Sequence, residues 1–211
     1  MDTRTMILNA AAEVFAQHGF RGSTTRRIAD AASVNEVTIF RYFGSKDALL
    51  QEAISSSAGT AFAHHLPSEP VDPERELGEW CTTLVKHLHA RRAMTRKVMA
   101  EMEERPEMTP CAVQAPARAT HELCSYFRKL RSNGFTDEDF DEIGAATMLR
   151  GALFHDAMAR DMMPDVFPKP ASKAAARYAQ LILRAIGVRT GQANASTPVG
   201  TKTEPPTSLD S

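Results

Sequence analysis

The sequence predicts an all-α chain, with an N-terminal three-helix unit that holds a helix-turn-helix and a larger helical domain after it. Three observations carry this. Apolar residues recur at helical spacing from Ile7 to Ile186, no run alternates as a half-buried strand would, and Gly, Pro and N-capping residues interrupt the pattern at helix-length intervals. At 43% hydrophobic and 24% charged, the 211 residues can bury a core, which excludes wholesale disorder. No run reaches the roughly 20 apolar residues of a membrane span. The opening Met1-Asp2-Thr3-Arg4 carries no basic segment ahead of an apolar stretch, so no secretory signal is expected. Cys81, Cys111 and Cys124 are odd in number and lack CxxC spacing, which points to a reducing, cytoplasmic setting.

Ile7, Ala11, Val14, Phe15 and His18 form the stripe of a first helix, which Gly19 closes with a left-handed residue. Thr24 caps a second helix with Ile28, Ala29 and Ala32 inward, and Ser33-Val34 is a tight connection. Asn35 caps a third helix, from about Glu36 to Phe43, which Gly44 ends. Ser45 caps a fourth, which keeps one face through Leu50, Ile54, Ala58, Ala61 and His65 to about Leu66, and Asp47 in its first turn suits the helix dipole. Pro67 to Pro73 breaks the pattern, and Asp72 with Pro73 restarts it. Further helices are expected at about 73–91, 93–105, 112–132, 137–160 (capped by Thr136) and 172–186. The resulting division is a helix-turn-helix domain over 1–50, a continuation of the linking helix over 51–66, a helical domain over 67–187 and a disordered tail over 188–211. No internal repeat is present.

The net charge is −1, yet Arg21 to Lys46 carries +3 and Glu101 to Glu142 holds ten acidic against five basic residues. A basic head on an acidic remainder suggests a phosphate-facing part. Residues 24–43 read as helix, tight turn, helix. Small residues Ala29 and Ala32 allow a steep crossing, which leaves Glu36, Val37, Thr38, Arg41 and Tyr42 on the open face of the second helix. That mixture of methyl and hydrogen-bonding groups suits a major groove, where bases offer donors, acceptors and the thymine methyl. Thr24 and Thr25 at a helix N-terminus, with Arg26, Arg27, Tyr42 and Lys46 around it, are the types that grip phosphates.

The run Phe15, His18-Gly19-Phe20, Thr24-Thr25, Ile28-Ala29, Ala32, Val34 and Val37-Thr38-Ile39-Phe40-Arg41-Tyr42-Phe43-Gly44-Ser45-Lys46-Asp47-Ala48-Leu49-Leu50 resembles the DNA-binding domain of the TetR (TetR/AcrR-like) family of bacterial transcriptional regulators. The likeness covers about residues 6–50 without a gap through the turn. Three positions depart from the family pattern: Ser33 stands for the usual Gly, Phe40 for Tyr and Tyr42 for His. A left-handed Ser33 would cost roughly 1 kcal/mol more than Gly, so strain or a side-chain hydrogen bond is expected in the turn.

The resemblance implies base-edge contacts from Arg26, Glu36, Val37 and Thr38, although Glu36 could equally point away from the phosphates. It implies phosphate contacts from Thr25, Arg41, Tyr42 and Lys46, with Ser45 a helix cap first and a phosphate contact second; Arg27 joins this set by its residue type. It further implies a ligand-responsive homodimer, most simply a repressor, on an inverted-repeat DNA operator. Leu149, Leu153, Phe154 and Ala157 with Tyr178, Leu181, Ile182 and Ile186 would supply a four-helix dimer interface. Trp80, His87, Met94, Met99, Met102, Tyr126, Phe127, Met148 and His155 are the candidates for an apolar small-molecule effector pocket, since eight of the ten methionines lie between residues 94 and 163. His155-Asp156 fits either pocket or interface.

Catalysis is not expected. His121-x-x-Cys124 puts two metal-capable groups on one helix face with no second pair, and neither a glycine-rich phosphate loop nor a nucleophile motif occurs. No cofactor, no metal and no membrane partner are therefore expected. The competing readings are a helical metal- or ligand-binding enzyme, which turnover or bound zinc would reveal, and a helix-turn-helix relic acting only as an interaction protein, which failure to bind DNA at low salt would reveal. The effector, the operator sequence and the regulated genes are not written in the chain.

Overall fold

The computed structural model describes residues 2–59 and 65–189. Nine α-helices follow one another among the described residues, without a strand: α1 (Thr3–Gly22), α2 (Thr25–Ala31), α3 (Glu36–Phe43), α4 (Lys46–Gly59), α5 (Pro73–Ala90), α6 (Arg92–Met102), α7 (Thr109–Ser132), α8 (Glu142–Ala159) and α9 (Ala171–Ala185). None of them is long and apolar enough to cross a membrane.

Capping side chains set most of the early boundaries. Asp2 accepts from Thr5 N at 2.8 Å, Thr24 from Arg27 N at 3.2 Å, Asn35 from Val37 N at 2.9 Å and Ser45 from Ala48 N at 3.1 Å. Gly19 does not end α1 but kinks it: its φ is 65°, and helix resumes to Gly22. His18 falls on the exposed side of α1, off the stripe assigned to it. Ser33 takes a φ of 53°, as the missing glycine requires. Its N–H donates to Asp30 O at 3.2 Å and Val34 N to Ala29 O at 3.0 Å, so backbone bonds hold the turn, without the expected side-chain bond among the described residues.

Helix α6 ends at Met102 and α7 begins at Thr109, each three residues before the expected bound, and two further bounds also differ from expectation. His65 and Leu66 are not helical, so the linking helix stops short of residue 66; residues 60–64 lie outside the described set. Pro67 disfavours a helical Leu66, and Leu66 N donates instead to Glu122 at 2.7 Å. Helix α8 begins at Glu142, not at 137. Asp141, which accepts from Ile143 N at 3.0 Å, is its cap. Thr136 is buried and bonds elsewhere, donating to Ile186 O at 2.7 Å and accepting from Glu138 N at 3.1 Å. This pins the 135–141 segment against the end of α9. Val188 is buried there, and Arg189 N reaches Phe135 O at 3.1 Å, so the packed chain runs through residue 189. The rest of the segment assigned to a tail, 190–211, lies outside the described residues.

The core forms two clusters. One gathers α1–α4 around Phe15, Ile28, Ile39 and Leu50, and takes in Met94 and Val98 of α6 together with Met108. The other gathers α5, α7, α8 and α9 around Leu77, Trp80, Phe127, Leu130 and Leu153. Helix α6 thus packs with the N-terminal helices although it follows α5 in the chain.

Asp156 is buried in the second half of the chain. It pairs with Arg160, and Tyr178 Oη donates to it at 3.0 Å, while Arg160 Nη1 donates to Pro168 O at 3.0 Å. Burial, and then the bond to Asp156, push the Tyr178 hydroxyl up to about 12. Asp156 therefore joins α8, α9 and the 168–170 connection within one chain.

Replacing Ser33 by glycine should stabilise the protein by up to about 1 kcal/mol, read as a higher denaturant midpoint at unchanged m-value. Asp156→Ala, which leaves a mostly buried guanidinium unpaired, should destabilise it by about 3 kcal/mol in the same assay.

Candidate functional site

Helices α2 and α3 cross over the buried side chains Ile28, Ala29, Ala32, Ile39 and Phe43. The opposite face of α3 is open, and its apolar groups are bare: Val37 is 72% exposed, Phe40 47% and Tyr42 40%. Solvent exposure of this much apolar surface on an eight-residue helix marks a face that something covers. Arg26, Arg27, Arg41 and Ser45 surround it and are exposed, while Thr25, Glu36, Thr38 and Lys46 are half-buried. The Arg41 guanidinium lies over the Tyr42 ring at 5.4 Å, and Arg27 Nη1 donates to Gly22 O. Thr25 Oγ1 donates to Glu36 Oε1 at 2.5 Å, so Glu36 ties α3 to the start of α2. Lys46 Nζ donates to Phe20 O at 3.1 Å and stands 4.1 Å from the centre of the Phe20 ring.

A cavity of about 380 Å³ lies between the two core clusters, a size typical of small-molecule sites. Its walls come from α4 (Ile54), α5 (Leu84, Leu88), α6, α7 and α8. Alanines 112, 115 and 119 on one face of α7 create the room, and Met94, Met99 and Met102 of α6 face it. Met99 and Val113 are also exposed to solvent, which places the mouth between α6 and α7. Two cationic residues, Arg91 and Arg150, line the otherwise mostly apolar wall.

Residues 7–53 match the family model described as bacterial regulatory proteins, tetR family. The HTH-type transcriptional regulator UidR of Escherichia coli K12 is 26% identical over 148 residues, covering 70% of this chain and 76% of that protein. Residues 7–53 form a TetR-type DNA-binding domain. The fold agrees. A Mesorhizobium loti MAFF303099 chain assigned to that family superimposes with a TM-score of 0.73 at 22% identity, covering 88% of this chain and 97% of that one. FadR from Bacillus subtilis, solved in complex with stearoyl-CoA, does so at 0.65 and 18% identity, covering 87% and 97%. The family's members regulate transcription rather than catalyse a reaction.

The residues expected at DNA lie exposed or half-buried on α2, α3 and the start of α4, with Glu36 turned to Thr25 and Lys46 to Phe20. The expected pocket set does not converge. Met94, Met99 and Met102 line the cavity, but Trp80 and Phe127 are buried in the second core cluster. Tyr126 is buried and donates to Glu76 at 2.8 Å, which joins α7 to α5. His87 is half-buried and off the cavity wall, and Met148 is 69% exposed. His155 is exposed, with its ring edge-on to Phe167 at 5.0 Å. Side-chain type alone does not say which face of a long helix meets an empty space.

The expected interface set is likewise divided. Leu149, Leu153, Ala157, Ile182 and Ile186 are buried by the chain's own neighbours and leave little for a partner. Phe154 faces the cavity and Tyr178 is bound to Asp156. Leu181 is 61% exposed, and Ile143 and Met148 of α8 are exposed with it. Leu84, Leu88, Arg91 and Arg150 were missed as cavity residues. Their one sequence signal is a charge set beside an apolar stripe, with Arg150 between Leu149 and Leu153.

Proposed function

We propose that this regulator binds an inverted-repeat operator as a homodimer, acts as a repressor, and is released by a small effector held in the cavity. The observation that carries the reading is the open face of α3, where Val37, Thr38, Arg41 and Tyr42 stand ready for base edges and phosphates beside Arg26 and Arg27. Glu36 acts as a brace for α3 through Thr25, not as a reader of bases. Dimerisation uses the exposed apolar residues of α8 and α9, chiefly Ile143, Met148 and Leu181. A two-fold dimer presents two α3 helices to successive major grooves, about 34 Å apart.

Release works through α6. This helix lines the cavity with Met94, Val98, Met99 and Met102, and its Glu101 accepts from Phe20 N at 3.0 Å on the DNA-binding head. Ile54 of α4 touches the cavity too, so both helices that lead to the head sense its contents. An effector that favours a different placement of α6 shifts the population towards heads with the wrong separation. A coupling of about 1–3 kcal/mol changes operator affinity 5- to 150-fold. The stearoyl-CoA bound to Bacillus subtilis FadR supports a ligand role for this fold.

Selection from a random duplex library should return an inverted repeat bound by two chains, with affinity that falls steeply with salt. Enrichment of no sequence even at low salt would overturn the reading. Val37→Ala should relax the preference at one position per half-site by about 1 kcal/mol, whereas Glu36→Gln should weaken all sequences alike. Glu101→Gln should leave operator binding within about twofold and shrink effector-induced release; full release by the variant would remove Glu101 from the path.

A further inference from the structure

We propose that the effector is an amphipathic acid: an apolar body that fills the cavity and one anionic group seated against Arg150. The inference rests on the reading of the cavity as an effector site and adds the ligand's chemistry to it. Among the described residues, the cavity wall is built from Leu, Met, Ala, Ile, Val, Pro and Phe, with Thr95 as the one neutral polar side chain. Such a wall excludes a strongly hydrated molecule. Among the described residues, two guanidinium-bearing side chains nevertheless share it, Arg150 from α8 and Arg91 from the junction of α5 and α6, and no carboxylate lines it.

Arg150 is half-buried, and its Nη1 donates to the neutral hydroxyl of Thr120 at 2.7 Å. Among the described residues no carboxylate lies within ion-pair distance of it. Thr120 in turn donates to Pro116 O at 3.1 Å, which fixes the hydroxyl to the α7 wall and so orients the guanidinium. Burial disfavours the charged form of Arg150, the cost that an anion would offset. A guanidinium keeps its charge and matches a carboxylate with two parallel hydrogen bonds, so Arg150 is suited to one planar acid group.

Three other arginines in or next to α6 have carboxylate partners. Arg92 and Arg96 meet Asp161, and Arg105 meets Glu101 and Glu107. Charge compensation from within the chain thus surrounds the cavity and does not extend to Arg150. An acid entering between Met99 and Val113 would leave its apolar body against α6 and α7.

The test measures binding of decanoate, decanol, 2-naphthoate and 2-naphthol to the full chain by calorimetry, at low salt and neutral pH, beside an operator-binding titration. Each acid should bind about tenfold or more tightly than its alcohol, the increment of a charge-assisted bond. Arg150→Gln should bring acid and alcohol to within about twofold while leaving alcohol affinity unchanged, and Arg150→Lys should restore part of the preference. Thermal melts confirm that both variants fold. Alcohols binding as well as acids, or an acid preference that survives Arg150→Gln, would overturn the proposal. So would failure of all four probes to bind. Operator binding is read separately, so loss of the acid preference and loss of the regulator reading remain distinguishable.

Discussion

The backbone of Phe20 ties the two halves of the molecule together. A residue inside an α-helix donates its N–H to the carbonyl four residues earlier, but Gly19, with a φ of 65°, breaks that register and turns the Phe20 N–H outward. Glu101 of α6 accepts it, Lys46 at the start of α4 donates to the Phe20 carbonyl, and the ring lies between Lys46 and Arg105. Position 19 requires glycine chiefly for its backbone conformation. The conformation is one that L side chains rarely adopt, and a Cβ there would stand 2.7 Å from Glu101 Oε1. One kink thus fixes the angle of the DNA-binding head on α6 and the entry of α4.

From that junction the division of the molecule follows packing rather than chain order. Helix α6 packs Met94, Val98 and Met102 with the N-terminal helices, and the same residues, together with Met99, line the cavity. A helix whose head-packing residues also border an empty volume is well placed, on the proposed reading, to move the head when the volume fills. The second core cluster offers no such freedom. Asp156, Arg160 and Tyr178 lock α8 to α9, and Thr136 and Val188 close the far end.

The head was legible in the sequence because its boundaries are set by local chemistry. Thr24, Asn35 and Ser45 cap their helices through bonds to residues two or three positions away, and Gly44 and Ser33 take the positive φ that their places demand. Such interactions are written within a few residues of chain. The beginning of α8 was not legible, since Thr136 and Asp141 are equally good caps and the contact that decides between them, Thr136 to Ile186, spans fifty residues. The cavity was illegible for the same reason. The Met, Trp and aromatic residues of α5–α8 all have helical spacing, and only the tertiary arrangement separates Met99, on the cavity, from Met148, on the surface. The apolar stripes of α8 and α9 read as a dimer interface, yet helical periodicity is the same whether a neighbour belongs to the same chain or to another.

The cavity also explains a conflict that sequence reasoning alone would count as an error. A charged residue beside the Leu149–Leu153 stripe works against stability, because a half-buried guanidinium loses hydration that an apolar wall does not replace. The chain could satisfy Arg150 with a carboxylate, as it does Arg96 with Asp161 or Arg160 with Asp156. It offers a hydroxyl instead. A fully compensated cation would hold no preference for an incoming anion, whereas one held by a neutral partner retains most of its field in a low-dielectric space. Features that lower the stability of a fold without a packing benefit concentrate where a ligand is bound. Here that feature sits on the same cavity as α6, the helix whose Glu101 holds Phe20. The incomplete compensation of Arg150 and the kink at Gly19 are therefore two ends of one physical path.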